Sequence, residues 1–175
     1  MRLKPIENPS NIFVKLAFWW SKREFGKVIA PFKVVYARKP KLMFLANKIY
    51  QMQEKSISLK PSLRLLIQTQ VSALNGCSFC NDISLAQAVK KKLGTEKFIA
   101  LGEDIETKVE AFTKKEKAVI AFVDEYAKNR KVSDETFEKL RRFFSETEII
   151  EIVAMNAFEQ YFNAFAVPLE IELTG

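Results

Sequence analysis

Two thiols stand three positions apart in Cys77-Ser78-Phe79-Cys80, and they are the only cysteines of a 175-residue chain that has no histidine. On a helix, residues at that spacing share a face, so the two sulfurs can join and part as a disulfide. Two thiolates cannot enclose a zinc ion. Redox chemistry is therefore what the pair is suited to, and no metal or bound organic cofactor is expected. The missing imidazole removes the usual proton carrier at neutral pH and the base of any His-dependent nucleophilic triad. Another group must move the protons.

The surrounding residues place the pair. Pro61 opens a helix whose Leu63, Leu66, Ile67, Gln70, Val71 and Leu74 fall on one stripe, and Asn75-Gly76 ends it. Cys77 begins the next helix, which the spacing predicts as far as Leu93, with Lys90, Lys91 and Lys92 in its last turn and Gly94 just past it. Free N–H groups and the positive end of the dipole favour a thiolate at a helix start, and Cys77 is the better placed for that help. Which sulfur attacks is set by exposure, which sequence does not report. The competing reading is a pair of small buried hydrophobes.

Two carboxylates are candidates to carry the proton. Asp82, five residues after Cys77, reaches the pair if its side chain turns inward; otherwise it is an acid that favours the helix dipole. Glu159, among Phe158, Tyr161 and Phe162, is the other, as a buried carboxylate with a raised pKa or as the partner of a basic N-terminal side chain. Gln68 and Gln70 offer hydrogen bonds on the helix leading to Cys77, but an amide is not a base.

The elements that must hold these groups are helical throughout. Strand-like alternation is nearly absent, Gly is scarce, and the prolines sit where helices begin or break. Ser10 is expected to cap a first helix ending near Gly26, and a helix of about 13 residues follows from Lys41. Thr113-Lys114-Lys115-Glu116 and Ser145-Glu146-Thr147-Glu148 are capping boxes, and Ser133 is a cap. Ile149 to Ala166 is apolar on too many faces to stand alone and is expected in a core or a subunit interface.

Composition sets the outer limits. At 48% hydrophobic, with 15 Phe against 5 Gly, the chain can bury a substantial core, which argues against disorder and for a single domain. Lys15 breaks the apolar stretch Ile12 to Trp20, so no signal peptide is read there. The tract from Ile149 to Val167 carries Glu151, Asn156, Glu159 and Asn163 and is too polar for a bilayer span. A cytoplasmic protein is expected, where a dithiol is redox-active rather than structural. Residues 1–60 hold 13 Lys+Arg against 3 Asp+Glu, and residues 61–175 hold 15 against 18, so the net charge of +7 arises in the N-terminal third. There Phe18, Trp19, Trp20, Phe25, Phe32 and Tyr36 are expected to pack while the lysines are solvated, in preference to contact with nucleic acid or, through Lys15, Phe18, Trp19, Trp20, Lys22 and Arg23, with an anionic membrane surface.

The stretch from Leu63-Arg64 through Val71-Ser72-Ala73-Leu74-Asn75-Gly76-Cys77-Ser78-Phe79-Cys80-Asn81-Asp82 resembles the core motif of the carboxymuconolactone decarboxylase and alkylhydroperoxidase AhpD superfamily. Phe158 to Phe165 is similar to the family's closing helix, with Ala164 where an Arg is common. The likeness covers roughly residues 40 to 173, and the basic N-terminal region is similar to an extension in some members. It implies residues 1–40 as a helical extension and 41–175 as an AhpD-like all-α bundle that assembles as trimers or hexamers.

The resemblance further implies a thiol–disulfide or peroxide-reducing activity through Cys77 and Cys80. Its partners are then a thiol reductant protein or small dithiol, with a peroxide or disulfide as substrate. Peroxidase members place a His four residues after the second Cys and a Glu twelve before the first; here these positions hold Ser84 and Leu65, and Phe79 stands between the cysteines where a His is sometimes found. Weak peroxidase activity follows, the decarboxylase activity is poorly supported, and only Cys77 and Cys80 carry over. The alternative is a redox-degenerate helical oligomer acting as a binding or scaffold module.

Overall fold

The computed structural model describes residues 1–101 and 112–172. Every regular element among them is helical, and the chain divides into two compact units, Met1–Ser56 with the residues from Ala164 onward, and Ile57–Asn163.

In the first unit, α1 (Ile12–Phe25) is capped by Asn11, whose side chain accepts from the N–H groups of Phe13 (2.9 Å) and Val14 (3.3 Å). The cap falls one residue after the expected Ser10 because Asn11, an equally good capping residue, already has extended backbone. The helix stops at Gly26 in the left-handed conformation. The buried Ser21 hydroxyl then donates to Lys27 O (2.9 Å) and accepts from Ile29 N–H (3.1 Å), folding the chain back. Val14, Phe18 and Val28 form a small core that Phe32, Ala37 and Met43 close.

One turn of π-helix, Phe32–Tyr36, leads to α2 (Pro40–Lys55), which is 16 residues long and starts one residue before the expected Lys41, since proline is favoured in a first turn. The expectation that the N-terminal aromatics pack holds for Phe18 and for Phe32, which closes the small core, and is corrected for Trp19, Trp20 and Phe25. Phe18 is buried, but Trp19, Trp20 and Phe25 are 61%, 48% and 42% exposed, because α1 turns only its Val14–Phe18–Ser21 face inward.

In the second unit, α3 (Pro61–Leu74) is the central helix, packed on α4 (Ser78–Lys90) and α6 (Lys114–Asn129). It is buried on more faces than the predicted stripe, with Leu65, Thr69 and Ser72 inside, while Leu74 in its last turn is exposed. Its Leu66, Ile67 and Val71 share one core with Val119 and Val123 of α6, Leu140 of α7 (Asp134–Arg141), and Ile152 and Met155 of α8 (Glu146–Ala166). Each such side chain contributes about 1.5–3 kcal/mol on burial. A single short turn, α5 (Glu96–Ala100), follows α4.

Local chemistry sets the ends. Both capping boxes form: Thr113 N–H donates to Glu116 (2.8 Å) and Ser145 N–H to Glu148 (2.8 Å), with the reciprocal bonds at 3.2 and 3.3 Å. Ser133 caps α7. Helix α4 stops at Lys90 and not Leu93, because Lys92 (φ 54°) already leaves the helical region before Gly94. Among the described residues no helix is long and apolar enough to cross a membrane.

Candidate functional site

Gly76 adopts φ +67°, a conformation that other residues rarely take, and this lets α3 end in a tight reversal. Gly76 N–H donates to Ala73 O (3.1 Å) and Cys77 N–H to Ser72 O (2.8 Å), the paired bonds of a Schellman motif. Cys77 is thus held by the end of α3 and also starts α4, where its Sγ accepts from Cys80 N–H at 3.3 Å. Cys77 and Cys80 are joined as a disulfide across this first turn, with their Cα atoms 5.3 Å apart. Both are buried, at 3% and 7% exposure, as is Phe79 between them in sequence, whereas Gly76 and Ser78 are exposed.

The same Ser72 that receives the Cys77 N–H points its hydroxyl at a carboxylate. Ser72 Oγ donates to Glu159 Oε1 at 2.7 Å, and Asn163 Nδ2 donates to the same oxygen at 2.7 Å and to Ser72 Oγ at 3.3 Å. Asn75 Nδ2 in turn donates to Asn163 Oδ1 and Gln160 Oε1, each at 2.9 Å. Ser72, Glu159 and Asn163 are all buried. Burial is the dominant influence on Glu159 and drives its pKa up to about 7, against the opposing hydrogen bonds from Ser72, Asn163 and Gln68. The partners of Glu159 are thus neutral side chains of α3 and α8, and the expected alternative of a basic N-terminal partner is not what surrounds it.

The candidate residues separate cleanly. Cys77, Cys80 and Glu159 are all buried; Cys77 donates its backbone N–H to the Ser72 carbonyl and is joined to Cys80, and Glu159 accepts from the Ser72 hydroxyl. Asp82 lies past the first turn of α4 and is exposed, so it is not gathered into that buried group. Gln68 joins the Glu159 cluster, whereas Gln70 Nε2 donates to Asp124 on α6. Ser84 and Leu65, which stand where the resemblance implies a His and a Glu, are both buried.

Ser72, Asn75, Gln160 and Asn163 were not singled out from sequence. Their signal was there as spacing: Gln68, Ser72 and Asn75 make one polar stripe on α3, and Asn156, Glu159 and Asn163 another on α8. Among the described residues no group of three or more His, Cys, Asp or Glu is placed to hold a metal ion. What the arrangement offers is a two-electron disulfide with one sulfur at a helix N-terminus, on a residue whose backbone is bonded to the same Ser72 that holds a carboxyl group raised by burial to about 7.

No protein-family model matches the sequence, and no curated protein matches it. Solved structures do. A protein of unknown function from Agrobacterium tumefaciens, provisionally assigned as the antioxidant defence protein AhpD, is 25% identical with a TM-score of 0.73, over 81% of this chain and 97% of that one. An uncharacterised peroxidase-related protein from Silicibacter sp. TM1040 reaches a TM-score of 0.83 at 18% identity, over 98% of this chain and 90% of its own. The debrominase Bmp8, as a cysteine-to-alanine variant in complex with 2,3,4-tribromopyrrole, reaches 0.80 at 17% identity, over 100% of this chain and 92% of its own.

Proposed function

This chain is a member of the AhpD-like superfamily by fold, and from that premise we propose that it is a dithiol-dependent reductase that takes a peroxide or a disulfide as substrate. The observation that carries the reading is the Cys77–Cys80 disulfide across the first turn of α4, with Cys77 as the capping residue.

In the reduced protein the Cys77 thiolate is favoured by the Cys80 N–H and the helix dipole. Exposures of 3% and 7% do not rank the two sulfurs, and the capping bond from Cys80 N–H to the Cys77 sulfur supports Cys77 as the attacking one. The thiolate attacks one peroxide oxygen, the O–O bond breaks, and the departing oxygen takes up a proton to leave as an alcohol or water. Cys77 becomes a sulfenic acid; the Cys80 sulfur then attacks it, water leaves, and the disulfide closes. The two thiols have supplied two electrons, which a thiol reductant protein or a small dithiol must return. Glu159, held through Ser72, takes the part of proton reservoir that histidine plays elsewhere.

The test is turnover of hydrogen peroxide and an alkyl hydroperoxide, with a dithiol reductant, by the wild type, Cys77→Ser and Cys80→Ser. Turnover in the wild type that both substitutions abolish supports the reading, and equal rates in all three end it. A bromopyrrole belongs in the same substrate panel, since one protein of this fold is a debrominase. Thiols that titrate as free cysteine does and form no disulfide under mild oxidation favour the scaffold alternative instead.

A further inference from the structure

Helix α1 has two apolar faces, and only one is covered. Val14, Phe18 and Ser21 turn inward. In the opposite sector, at helical spacing, Ile12, Leu16, Trp19 and Trp20 are 61%, 57%, 61% and 48% exposed, and Phe13, at 53%, extends the surface to Phe44 of α2, edge to face at 5.6 Å. An exposed set of this size and composition calls for a partner.

The charge around it selects the kind. Exposed Lys15 and Lys22 border the sector, and Arg23 lies within it with its guanidinium 5.7 Å from the centre of the Trp19 ring. Lys15, Lys22 and Trp19 line one shallow cleft with residues 7–10, in which the Glu7 carboxylate is paired with Lys33 at 3.1 Å. The whole segment 1–60 carries the +10 that the rest of the chain does not. A two-fold contact of this face with a second copy brings two basic rims together, a like-charge approach that weighs against this face as the one that pairs with itself. An anionic surface meets both requirements, since it neutralises the rim while the aromatic centre enters an apolar boundary.

We propose that the outward face of α1 docks on an anionic lipid surface, with Trp19 and Trp20 at the headgroup boundary and Lys15, Lys22 and Arg23 on the acidic headgroups. Tryptophan suits that depth because its ring is apolar and its N–H is not. Such a helix lies in the interface and does not cross it, as interfacial helices with a basic rim do.

The chain's two tryptophans both belong to this face, so intrinsic tryptophan fluorescence reports it alone. The full-length protein is titrated with phosphatidylcholine vesicles with and without phosphatidylglycerol, and sedimentation with the vesicles is followed in parallel. The expected result is a blue shift and co-sedimentation only with the anionic vesicles, weakening steeply from about 0.05 to about 0.5 M salt. Lys15→Ala and Lys22→Ala each weaken binding about fivefold, as loss of one basic residue near a charged leaflet does. Both positions are exposed, and unchanged thermal unfolding of the variants confirms intact folding.

Failure to bind either vesicle, or equal binding to both, overturns the proposal. So does a blue shift that grows with protein concentration in the absence of lipid and is matched by a larger species in light scattering; that result assigns the face to a second copy.

Discussion

Two carboxylates on α8, two turns apart, are both buried and do different things. Near the start of the helix, Glu151 accepts from Ser58 N–H (2.8 Å), the Ser58 hydroxyl (2.8 Å) and Leu59 N–H (3.1 Å), and so fixes the backbone that leads into α3. Toward its end, Glu159 accepts from the Ser72 hydroxyl and the Asn163 amide, side chains that can rotate or exchange partners. Helix, residue type and depth are shared; the donors differ. Backbone N–H groups just ahead of a helix have no partner within it, so Glu151 is committed to structure. Side-chain donors leave Glu159 able to change its protonation state without unmaking an element.

The largest expected effect falls on the structural member. Glu151→Ala leaves the N–H groups of Ser58 and Leu59 and the Ser58 hydroxyl without their acceptor. At 1–3 kcal/mol for a buried group and less for those that water can reach, the loss is about 4 kcal/mol of unfolding free energy. Denaturant unfolding under non-oxidising conditions measures it. A loss below about 1 kcal/mol means that the clamp is dispensable and that the two ends of α8 are not distinct in kind.

Glu159→Gln tests the other end, and the sign is fixed by the direction of the shift. Folding raises this carboxyl from its ordinary 4.5 to about 7, so the folded state holds the proton more tightly and stability declines as pH rises across that interval. The contribution is fully present below 4.5 and has been lost above 7, for a change of about 3 kcal/mol. Glutamine keeps the shape and cannot titrate, so the variant's stability stays flatter between those pH values; a slope identical to wild type sinks the assignment. Where the proposed chemistry holds, the same variant loses turnover on the order of 100-fold while remaining folded, the scale of one general acid. Glu151→Ala, measured at a temperature where it is folded, keeps its turnover.

Why the helical architecture was legible and this contrast was not comes down to range. The caps at Thr113, Ser133 and Ser145 and the stops at Gly26 and Gly76 are local events, decided within four or five residues, and sequence carries them directly. The break at Asn75-Gly76 and the start at Cys77 were placed for the same reason. The Ser72–Glu159 bond joins residues 87 apart, and only the packing of α3 on α8 creates it. Glu159 was readable as a candidate because a carboxylate in an apolar helix is conspicuous. Glu151, equally conspicuous, drew no such reading, because its partners at Ser58 and Leu59 carry no chemical signature. Trp19, Trp20 and Phe25 of α1 were misplaced for the opposite reason: apolar composition signals burial, but it cannot say whether the chain itself or something outside it supplies the cover.

Asp82 supplies the smallest expected effect and the sharpest control on the contrast. It is closer in sequence to both cysteines than Glu159 is, yet it is exposed, and water is free to take its place both in hydrogen bonding and in proton exchange. Asp82→Asn is therefore expected to change stability by no more than about 0.5 kcal/mol, as surface substitutions do, and to leave peroxide turnover within about twofold of wild type, far short of what loss of a general acid costs. A large drop in turnover at unchanged stability transfers the proton-carrying part from the buried carboxyl of α8 to the exposed one of α4. Glu159 is then a structural acid like Glu151, held in place by neutral side chains where Glu151 is held by backbone.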